Sequence, residues 1–436
     1  MALSIRDILR RGPATSKALQ IEADISQAGV SRQLRALGDS VVRLPGGRAP
    51  RYALARNAFG GDDRLPVYMV DADGNNAVVA YLRPLAHGGY FVEPLAGMPP
   101  VLLGETGHGV YDDLPYFLAD MAPQGFLGKQ IALEMALRSP DFPEDPRHWN
   151  TDHIGRYLVS NGDDLPGNLA FGAQAHLRIR REPQAVGVAD FPALADAVMG
   201  GAVPGSSAGG EQPKFTAYSA ESRAHMIVKF SPPGNDPVAR RWRDILVTEH
   251  HALEAMRQCG VSVADARLLE VGDRLFLESQ RFDRQGKYGR MPMLSLQCVD
   301  AEFTGIGSNW PRAMHALEQK GMVSSRYVYE AEMMWVFGKL INNTDMHLGN
   351  LSLGIDGSMF RLLPVYDMCS MGFAPRGGEV LPYEFVAPEA LPVTSLDDKA
   401  VAGIRSVART FWHNLMLDER ISPEFREFLQ RGNPAN

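Results

Sequence analysis

The stretch NNTDMHLGNLSL, residues 342–353, places the strongest constraint on the fold of this chain. It carries Asp345 and Asn350 in the spacing D-x-x-x-x-N, with His347 between them. Another aspartate, Asp367, follows two apolar runs, LSLGI and MFRLLPVY, that are typical of a β-hairpin. Asp and Asn side chains most often stabilise turns by bonding to nearby backbone groups, so each of these residues alone indicates little about function. Together, their order and spacing match a catalytic loop followed by a metal-binding aspartate.

A run of small residues, GAVPGSSAGGEQPKF at 201–215, precedes a second predicted hairpin. Small residues allow backbone N–H groups to approach a phosphate closely, and hydroxyl and ammonium groups add polar contacts. The run is not a Walker A motif, because G-x-x-x-x-G-K-[ST] is absent, and most glycine-rich runs are ordinary loops. Candidate phosphate-binding residues in it are Ser206, Ser207, Gly209, Gly210 and Lys214.

A lysine and a glutamate follow in the order found in the N-lobe of protein kinases. Lys229 lies in the apolar strand MIVKFS, and Glu249 lies among apolar residues of the predicted helix after it. Two more predicted strands then end at QRFDR. Backbone groups of Gln280 and Phe282 are the candidates to contact adenine there.

These parts together predict an ATP-dependent kinase. Asp345 would accept the proton of the attacking hydroxyl, and Asn350 and Asp367 would offer oxygen ligands to Mg²⁺. Lys229 would hold the phosphates, and His347 would orient a carboxylate or contact phosphate. An alternative from another class is a DNA-binding transcriptional regulator whose kinase-like body only senses nucleotide.

The first 57 residues differ from the rest in charge and pattern. They hold ten basic and four acidic residues, so their net charge is +6, against −7 for the whole chain. SIRDILRRG, SKALQIEADIS and SQAGVSRQLRALG are typical of helices, with Ser16 and Ser26 as N-caps. VVRLPGG and RAPRYALA then predict a hairpin, which completes the order of a winged helix-turn-helix.

The segment from 19 to 44 resembles bacterial winged-helix repressors, although Asp24 stands where the turn usually has glycine. Asp tolerates a left-handed backbone better than most residues. The alternative is a helical module that docks on the acidic body or on a partner protein. Candidate contacts to duplex DNA are Gln27, Ser31, Arg32 and Arg35 on the third helix, and Arg48 and Arg51 on the wing.

The remaining chain is divided by pattern into three parts. Residues 58–135 form a small β-rich part, with strands expected in LPVYMVDADG, NAVVAYLRPL, GYFVEPL and VLLGETG. Residues 136–283 form an N-lobe with the phosphate loop, and 284–436 a mostly helical C-lobe. Three scattered cysteines, a charged N-terminus and short apolar runs predict a cytoplasmic protein with no membrane contact.

Five of these stretches resemble, in order, the motifs of the HipA serine/threonine kinases, the toxins of bacterial toxin–antitoxin systems. They are GSSAGGEQPKF, IVKF, QRFDR, NNTDMHLGNLSL and PVYDMCSM. The fused N-terminal helix-turn-helix is similar to the YjjJ-type subgroup. The resemblance implies an α+β, two-lobe, protein-kinase-like fold, with Mg²⁺ and ATP as cofactors.

The resemblance also implies growth inhibition by phosphorylation of a serine or threonine on a cellular protein, in known members an aminoacyl-tRNA synthetase. Autophosphorylation of Ser207 or its neighbour Ser206 would place negative charge beside the ATP phosphates and switch the enzyme off. The usual antitoxin partner is a separate helix-turn-helix protein. Here the built-in module would replace its operator contact or make a dedicated antitoxin unnecessary.

Overall fold

The computed structural model describes residues 3–201, 212–376, 378–386 and 395–435. Helices and antiparallel sheets alternate along the chain, so the fold is mixed α and β. We divide it into an N-terminal unit (3–57), a middle unit (58–181), a sheet unit (185–290) and a helical unit (294–435). Within the described ranges, none of the helices combines the length and apolar character needed to cross a membrane.

The N-terminal unit packs three helices on a three-stranded sheet of order β1-β3-β2. Its core includes Leu19 and Val30. Its elements are α1 (Ile5–Arg11), β1 (Ala14–Thr15), α2 (Ser16–Ala23), α3 (Gln27–Leu37), β2 (Val41–Leu44) and β3 (Arg51–Leu54).

The helix ends of this unit follow local chemistry. The Ser26 hydroxyl accepts the Gly29 N–H and caps α3, which confirms the predicted cap. The predicted Ser16 cap of α2 is wrong, because the Thr15 hydroxyl accepts the Ala18 N–H one position earlier. Asp24 ends α2 with a φ of +51°, in the left-handed region that its residue type tolerates.

The middle unit is built on a five-stranded sheet of order β7-β6-β5-β4-β8. Its fifth strand comes from 169–171 and pairs with β4, so the sheet extends well past the predicted boundary at 135. The strand predicted in VLLGETG is wrong, because Pro100–Leu103 forms a 3₁₀ turn. The elements are β4 (Leu65–Val70), β5 (Asn76–Pro84), β6 (Tyr90–Pro94), β7 (Val110–Tyr111), α4 (Tyr116–Ala119), α5 (Gly125–Arg138), α6 (Thr151–Asn161) and β8 (Leu169–Phe171).

The sheet unit is a five-stranded sheet of order β12-β13-β11-β10-β9 with one long helix, α8. Buried phenylalanines from the strands and α7 fill its core. The elements are β9 (Ala185–Val186), α7 (Phe191–Met199), β10 (Lys214–Ser219), β11 (His225–Phe230), α8 (Pro237–Gln258), β12 (Ala266–Val271), β13 (Arg274–Gln280), β14 (Arg284–Gln285) and β15 (Gly289–Arg290).

The helical unit surrounds the buried helix α11, which ends just before the 342–350 loop. The Trp412 indole N–H donates to the Leu340 carbonyl at 3.1 Å and ties α12 to the end of α11. The elements are β16 (Leu294–Ser295), α9 (Leu296–Phe303), α10 (Trp310–Gln319), α11 (Ser325–Leu340), β17 (Ser352–Asp356), β18 (Met359–Leu362), α12 (Asp398–Leu417) and α13 (Pro423–Leu429).

Candidate active site

A cleft between the sheet unit and the helical unit brings together Lys229, Glu249 and Asp367. The Lys229 Nζ lies 2.6 Å from both carboxylate oxygens of Glu249 and also donates to Asp367 Oδ1. Lys229 lies on β11, Glu249 on α8 and Asp367 after β18, so three distant segments meet at one ammonium group. The predicted strand lysine and helix glutamate are therefore direct partners in the fold.

The charges of this cluster stabilise one another. Burial opposes the charged form of Lys229, but the carboxylates of Asp367 and Glu249 outweigh it and raise the pKa of the lysine, which stays protonated. Burial likewise opposes ionisation of Asp367, yet Lys229 and Lys214 lower the pKa of that carboxyl. For Glu249, burial dominates and raises the pKa.

Lys214 is a second buried cation in the cleft. The antiparallel register of β10 and β11 places it opposite Lys229, and only 2% of it is exposed. Burial lowers its pKa, while the charges of Asp367 and Glu249 favour the protonated form. The sequence predicted Lys214 as part of the phosphate loop. In the structure it is the first residue of β10 and lies opposite Lys229 of β11.

The 342–350 loop holds Asp345 and Asn350 against each other. The Asn350 amide Nδ2 donates to the Asp345 carbonyl at 2.7 Å. The Oδ1 of Asn350 therefore points away from that carbonyl. The Asp345 N–H donates to Asn343 Oδ1 at 3.0 Å, so the loop carries its own internal bonds. The Asp345 side chain is 48% exposed and can be reached by a group on another molecule.

His347 has a defined tautomer. Its Nδ1 accepts the Gly349 N–H at 3.1 Å, so in the neutral ring the proton lies on Nε2. Nε2 lies 3.7 Å from Asp345 Oδ1, and the ring lines the cleft. At 3.7 Å the two side chains are too far apart for a hydrogen bond, so the role of orienting a carboxylate stays a prediction.

Asp367 has a left-handed backbone. Its φ is +51°, the same as at Asp24, in a region that Asp tolerates better than most residues other than glycine. Its neighbour Tyr366 donates its hydroxyl to the Gly349 carbonyl at 3.2 Å and pairs with Ser352 Oγ at 2.8 Å. These bonds join the segment of Asp367 to the loop of Asn350.

Two family models match the chain: "YjjJ-like toxin, middle domain" over residues 61–180, and "HipA-like C-terminal domain" over 206–416. The chain is also 34% identical over 435 residues to Toxin YjjJ of Escherichia coli (strain K12), covering 98% of this chain and 95% of that protein. The chain belongs to the YjjJ-like family of HipA-type toxins. This confirms the resemblance found in the sequence.

The YjjJ-like chain also shares its fold with a solved HipA structure. The match is to the Shewanella oneidensis MR-1 toxin–antitoxin system of HipA, HipB and its operator DNA, with a TM-score of 0.50 and 17% identity. It covers 81% of this chain and 87% of that chain. At this identity the match concerns the fold alone.

In this YjjJ-like protein the middle unit forms one wall of the cleft. Asp120 and Pro166 line the cleft together with Ile227 of the sheet unit and Gln297 of the helical unit. Asp120 accepts the Ser295 N–H at 2.8 Å, which fixes the middle unit to the start of α9. The sequence did not indicate this wall, because its residues reach the site only through tertiary packing and no local pattern marks them.

The predicted adenine contacts are only partly available. The Gln280 N–H donates to the Asp265 carbonyl at 2.8 Å, so the contact predicted for Gln280 would have to use its carbonyl, and it stays a prediction. Phe282 lines the cleft with its ring 5.7 Å from that of Tyr366. It remains the candidate at this position.

The rest of QRFDR forms a buried ionic network. Asp283 accepts bonds from Arg281, Arg284 and the Gly167 N–H of the middle unit, at 2.7 to 2.9 Å. The motif therefore holds the middle unit and the sheet unit together beside the cleft. The sequence predicted this motif as a nucleotide contact and did not indicate that it joins the two units.

The remaining predicted residues fall into two groups. Ser206, Ser207, Gly209 and Gly210 lie outside the described residues. The six candidate DNA contacts all lie on the surface of the N-terminal unit: Gln27, Ser31, Arg32, Arg35, Arg48 and Arg51.

Proposed function

We propose that this YjjJ-like protein is a Mg-ATP-dependent serine/threonine protein kinase with an N-terminal winged helix-turn-helix that binds DNA. The observation that supports the kinase most strongly is the meeting of Lys229, Glu249 and Asp367 beside the Asp345–Asn350 pair. These residues come from separate segments, and each has the residue type that its role in phosphoryl transfer requires.

The residues of the cleft fit a magnesium nucleotide. Two buried lysines, Lys214 and Lys229, offer positive charge to phosphates, and Asn350 and Asp367 offer the hard oxygen ligands that Mg²⁺ prefers. The described part of the chain holds no group of three or more His, Cys, Asp or Glu suited to a metal. Mg²⁺ shared with phosphates does not need one, since it keeps waters and takes only one or two protein carboxylates.

Mg-ATP would supply the transferable phosphoryl group and the charge neutralisation for its transfer. Asp345 would accept the proton of a serine or threonine hydroxyl as its oxygen bonds to the γ-phosphorus, while the bond from that phosphorus to the β–γ bridging oxygen breaks and ADP leaves. His347, with its Nε2–H toward Asp345, would hold that carboxylate in place. Glu249 would keep Lys229 extended into the cleft, where the lysine positions phosphate oxygens.

The test uses purified protein, Mg²⁺ and ATP labelled in its γ-phosphate, with and without cell lysate. We expect label on the protein or on a lysate protein, and at least ~100-fold less with Asp345→Asn. Asp356→Asn, an exposed carboxylate on the turn between β17 and β18, is the matched control. Absence of label from every sample, or full transfer by Asp345→Asn, would contradict the proposal. Nucleotide binding without turnover would instead identify a regulator that only senses nucleotide.

We also propose that the phosphate-loop serine is the self-modification site. The proposal rests on the resemblance of GSSAGGEQPKF to the HipA motif and on the chain's membership of the HipA-type toxins. Phosphopeptide mapping of the wild type, Ser206→Ala and Ser207→Ala identifies the serine. Label that persists at other positions in a double variant, with none at either serine in the wild type, would contradict this part.

DNA binding rests on the surface of α3 and the wing. Ser31, Arg32 and Arg35 are exposed on α3, and the unit carries a net charge of +6 in a chain that is acidic overall. Retention on duplex DNA should weaken steeply with salt, because phosphate contacts release counterions. Arg32→Ala should reduce retention, whereas Arg138→Ala, an exposed arginine on α5, should not. Retention that is insensitive to salt and to Arg32 would favour docking on a partner protein.

The protein target and an antitoxin complete the proposal. The proposed target is a hydroxyl group on a cellular protein, as in known HipA members, where the target is an aminoacyl-tRNA synthetase. The exposed Asp345 carboxylate supports this, because a group on another protein can reach it. An antitoxin partner follows in the same way. Phosphoproteomic comparison of cells that express wild type or Asp345→Asn tests the target, and co-purification tests the antitoxin.

A further inference from the structure

The helix that presents Glu249 to the cleft is also held by two other buried charged residues, Arg241 and Asp244. Asp244 is 1% exposed, and its carboxylate accepts the Ser422 N–H and the Ser422 hydroxyl, both at 2.7 Å. It also accepts the Tyr383 hydroxyl at 3.1 Å. Ser422 is the N-cap of α13, so Asp244 joins α8 to the C-terminal helix.

Arg241, one turn earlier on α8, holds the segment that follows Asp367. Its guanidinium donates to the Phe373 carbonyl at 2.9 Å and to the Leu381 carbonyl at 3.0 Å. It also lies 3.6 Å above the centre of the Tyr383 ring. One planar side chain thus bridges two points of the 371–386 segment, a geometry that suits arginine and not lysine.

The same segment is fixed to the 342–350 loop. The Gly372 N–H donates to the Asn342 carbonyl, and the Val386 N–H donates to Asn342 Oδ1, both at 3.0 Å. The rings of Phe373 and Tyr383 pack on Phe425 of α13. The elements that carry Glu249, Asp345 and Asp367 therefore share one buried junction.

We propose that Arg241 and Asp244, with α13, form a C-terminal clamp that positions Glu249 against Lys229 for catalysis. This inference rests on the proposed kinase function. The clamp consists of the contacts of Arg241 and Asp244 with Phe373, Leu381, Tyr383 and Ser422. Its α13 part lies beyond residue 416, where the match to the HipA-like C-terminal domain ends.

The clamp has a mechanical consequence. Its bonds join the Arg241 and Asp244 side chains to groups outside α8, so they hold α8 in the position that pairs Glu249 with Lys229. Loss of the clamp frees α8 to shift away from the cleft. A displacement of about 1 Å in a positioning element can cost ~100-fold in rate.

The test compares Arg241→Ala and Asp244→Ala with a conservative and a control variant. Asp244→Asn keeps an acceptor for the Ser422 N–H and should retain activity within ~3-fold. Arg240→Ala removes the exposed 3.2 Å pair with Glu424, which joins the same two helices on the solvent side, and should behave like the wild type. If Arg241→Ala does not fold, Arg241→Lys tests the lost bridge while keeping the charge.

Two readouts separate positioning from general destabilisation. For folded Arg241→Ala and Asp244→Ala we expect kcat to fall at least ~10-fold with the KM for ATP changed less than ~3-fold. An amine-reactive acylating reagent, followed by mass spectrometry, reports on Lys229 without any turnover. Labelling of Lys229 should become faster in these variants, because separation from Glu249 lowers the pKa of the lysine.

The outcomes are distinct. Wild-type kcat and unchanged Lys229 labelling in both alanine variants would overturn the clamp. If the wild type transfers no phosphate, the kinase proposal fails, and Lys229 labelling alone decides whether the clamp positions Glu249. Equal losses in Arg240→Ala and Arg241→Ala would also overturn it, because the exposed pair would then matter as much as the buried bridge.

Discussion

The ionic network of Asp283 makes a sharp prediction about stability. Its carboxylate accepts four bonds: from Arg281 Nε at 2.9 Å and Nη2 at 2.8 Å, from Arg284 Nη1 at 2.7 Å, and from the Gly167 N–H at 2.9 Å. The side chains of the three charged residues are only 3 to 5% exposed. Asp283→Ala would leave two buried guanidinium groups without their shared counter-charge.

The expected loss follows from the cost of an unpaired buried charge. Removing one partner of a buried ion pair costs about 3–5 kcal/mol, because the remaining charge keeps its desolvation penalty. Folded domains are stable by only about 5–15 kcal/mol, so Asp283→Ala should lower the urea midpoint of the sheet unit and middle unit markedly. Asp283→Asn should be intermediate, since one acceptor oxygen remains and the amide group faces arginine donors.

A second aspartate on the same arginine provides the control. Asp164 pairs with Arg284 Nη2 at 2.9 Å, but its side chain is 50% exposed. Asp164→Asn should therefore cost no more than ~1 kcal/mol, as for other exposed pairs. Urea unfolding followed by circular dichroism measures all three variants. A loss below ~1 kcal/mol in Asp283→Ala, equal to that in Asp164→Asn, would refute the argument from burial.

Other predictions concern pH, close packing and a helix end. Burial raises the pKa of Asp244 to about 6, so the folded state binds a proton more tightly than the unfolded state. The contribution of this group to stability is therefore greatest at low pH and falls by about 2 kcal/mol as pH rises from about 4 to about 6; urea midpoints across that range should fall less in Asp244→Asn. Gly289→Ala should lower the melting temperature clearly, because a Cβ there would lie 1.9 Å from the Ala72 carbonyl oxygen. Asp24→Gly should raise stability by up to ~1 kcal/mol, since glycine adopts a φ of +51° without strain, and an unchanged or lower melting temperature would contradict this.

The features that sequence reasoning predicted correctly depend on near neighbours in the chain. The Ser26 cap, the left-handed Asp24 and the hairpin before Asp367 each arise within a few residues. The D-x-x-x-x-N spacing belongs to the same class, because Asn350 bonds directly to Asp345 within one loop. Local steric and hydrogen-bonding rules are sufficient for such features.

The features that it missed depend on partners far apart in sequence. The Asp283 carboxylate accepts the Gly167 N–H, and the Asp120 carboxylate accepts the Ser295 N–H. In both pairs the partners are more than 100 residues apart. β8 joins β4 across a similar distance, which is why the middle unit extends past the expected boundary. The bond from the Gln280 N–H to the Asp265 carbonyl is a further contact between separate segments that the sequence did not indicate. Tertiary pairing decides these cases, and no local pattern encodes it.

The charge balance of the cleft explains why the site needs both lysines. Glu249 and Asp367 carry two negative charges in a buried space, and Lys214 and Lys229 supply two positive charges that neutralise them. Phosphate groups that entered this neutral cluster without a cation would add negative charge beside both carboxylates. The resulting repulsion would be strong, because the effective dielectric of the buried cleft is well below that of water. Asn350 and Asp367 would hold Mg²⁺ here, and its charge would offset that repulsion and compete with Lys229 for the Asp367 carboxylate. The proposed requirement for Mg²⁺ therefore follows from the same carboxylates that hold the lysine in place.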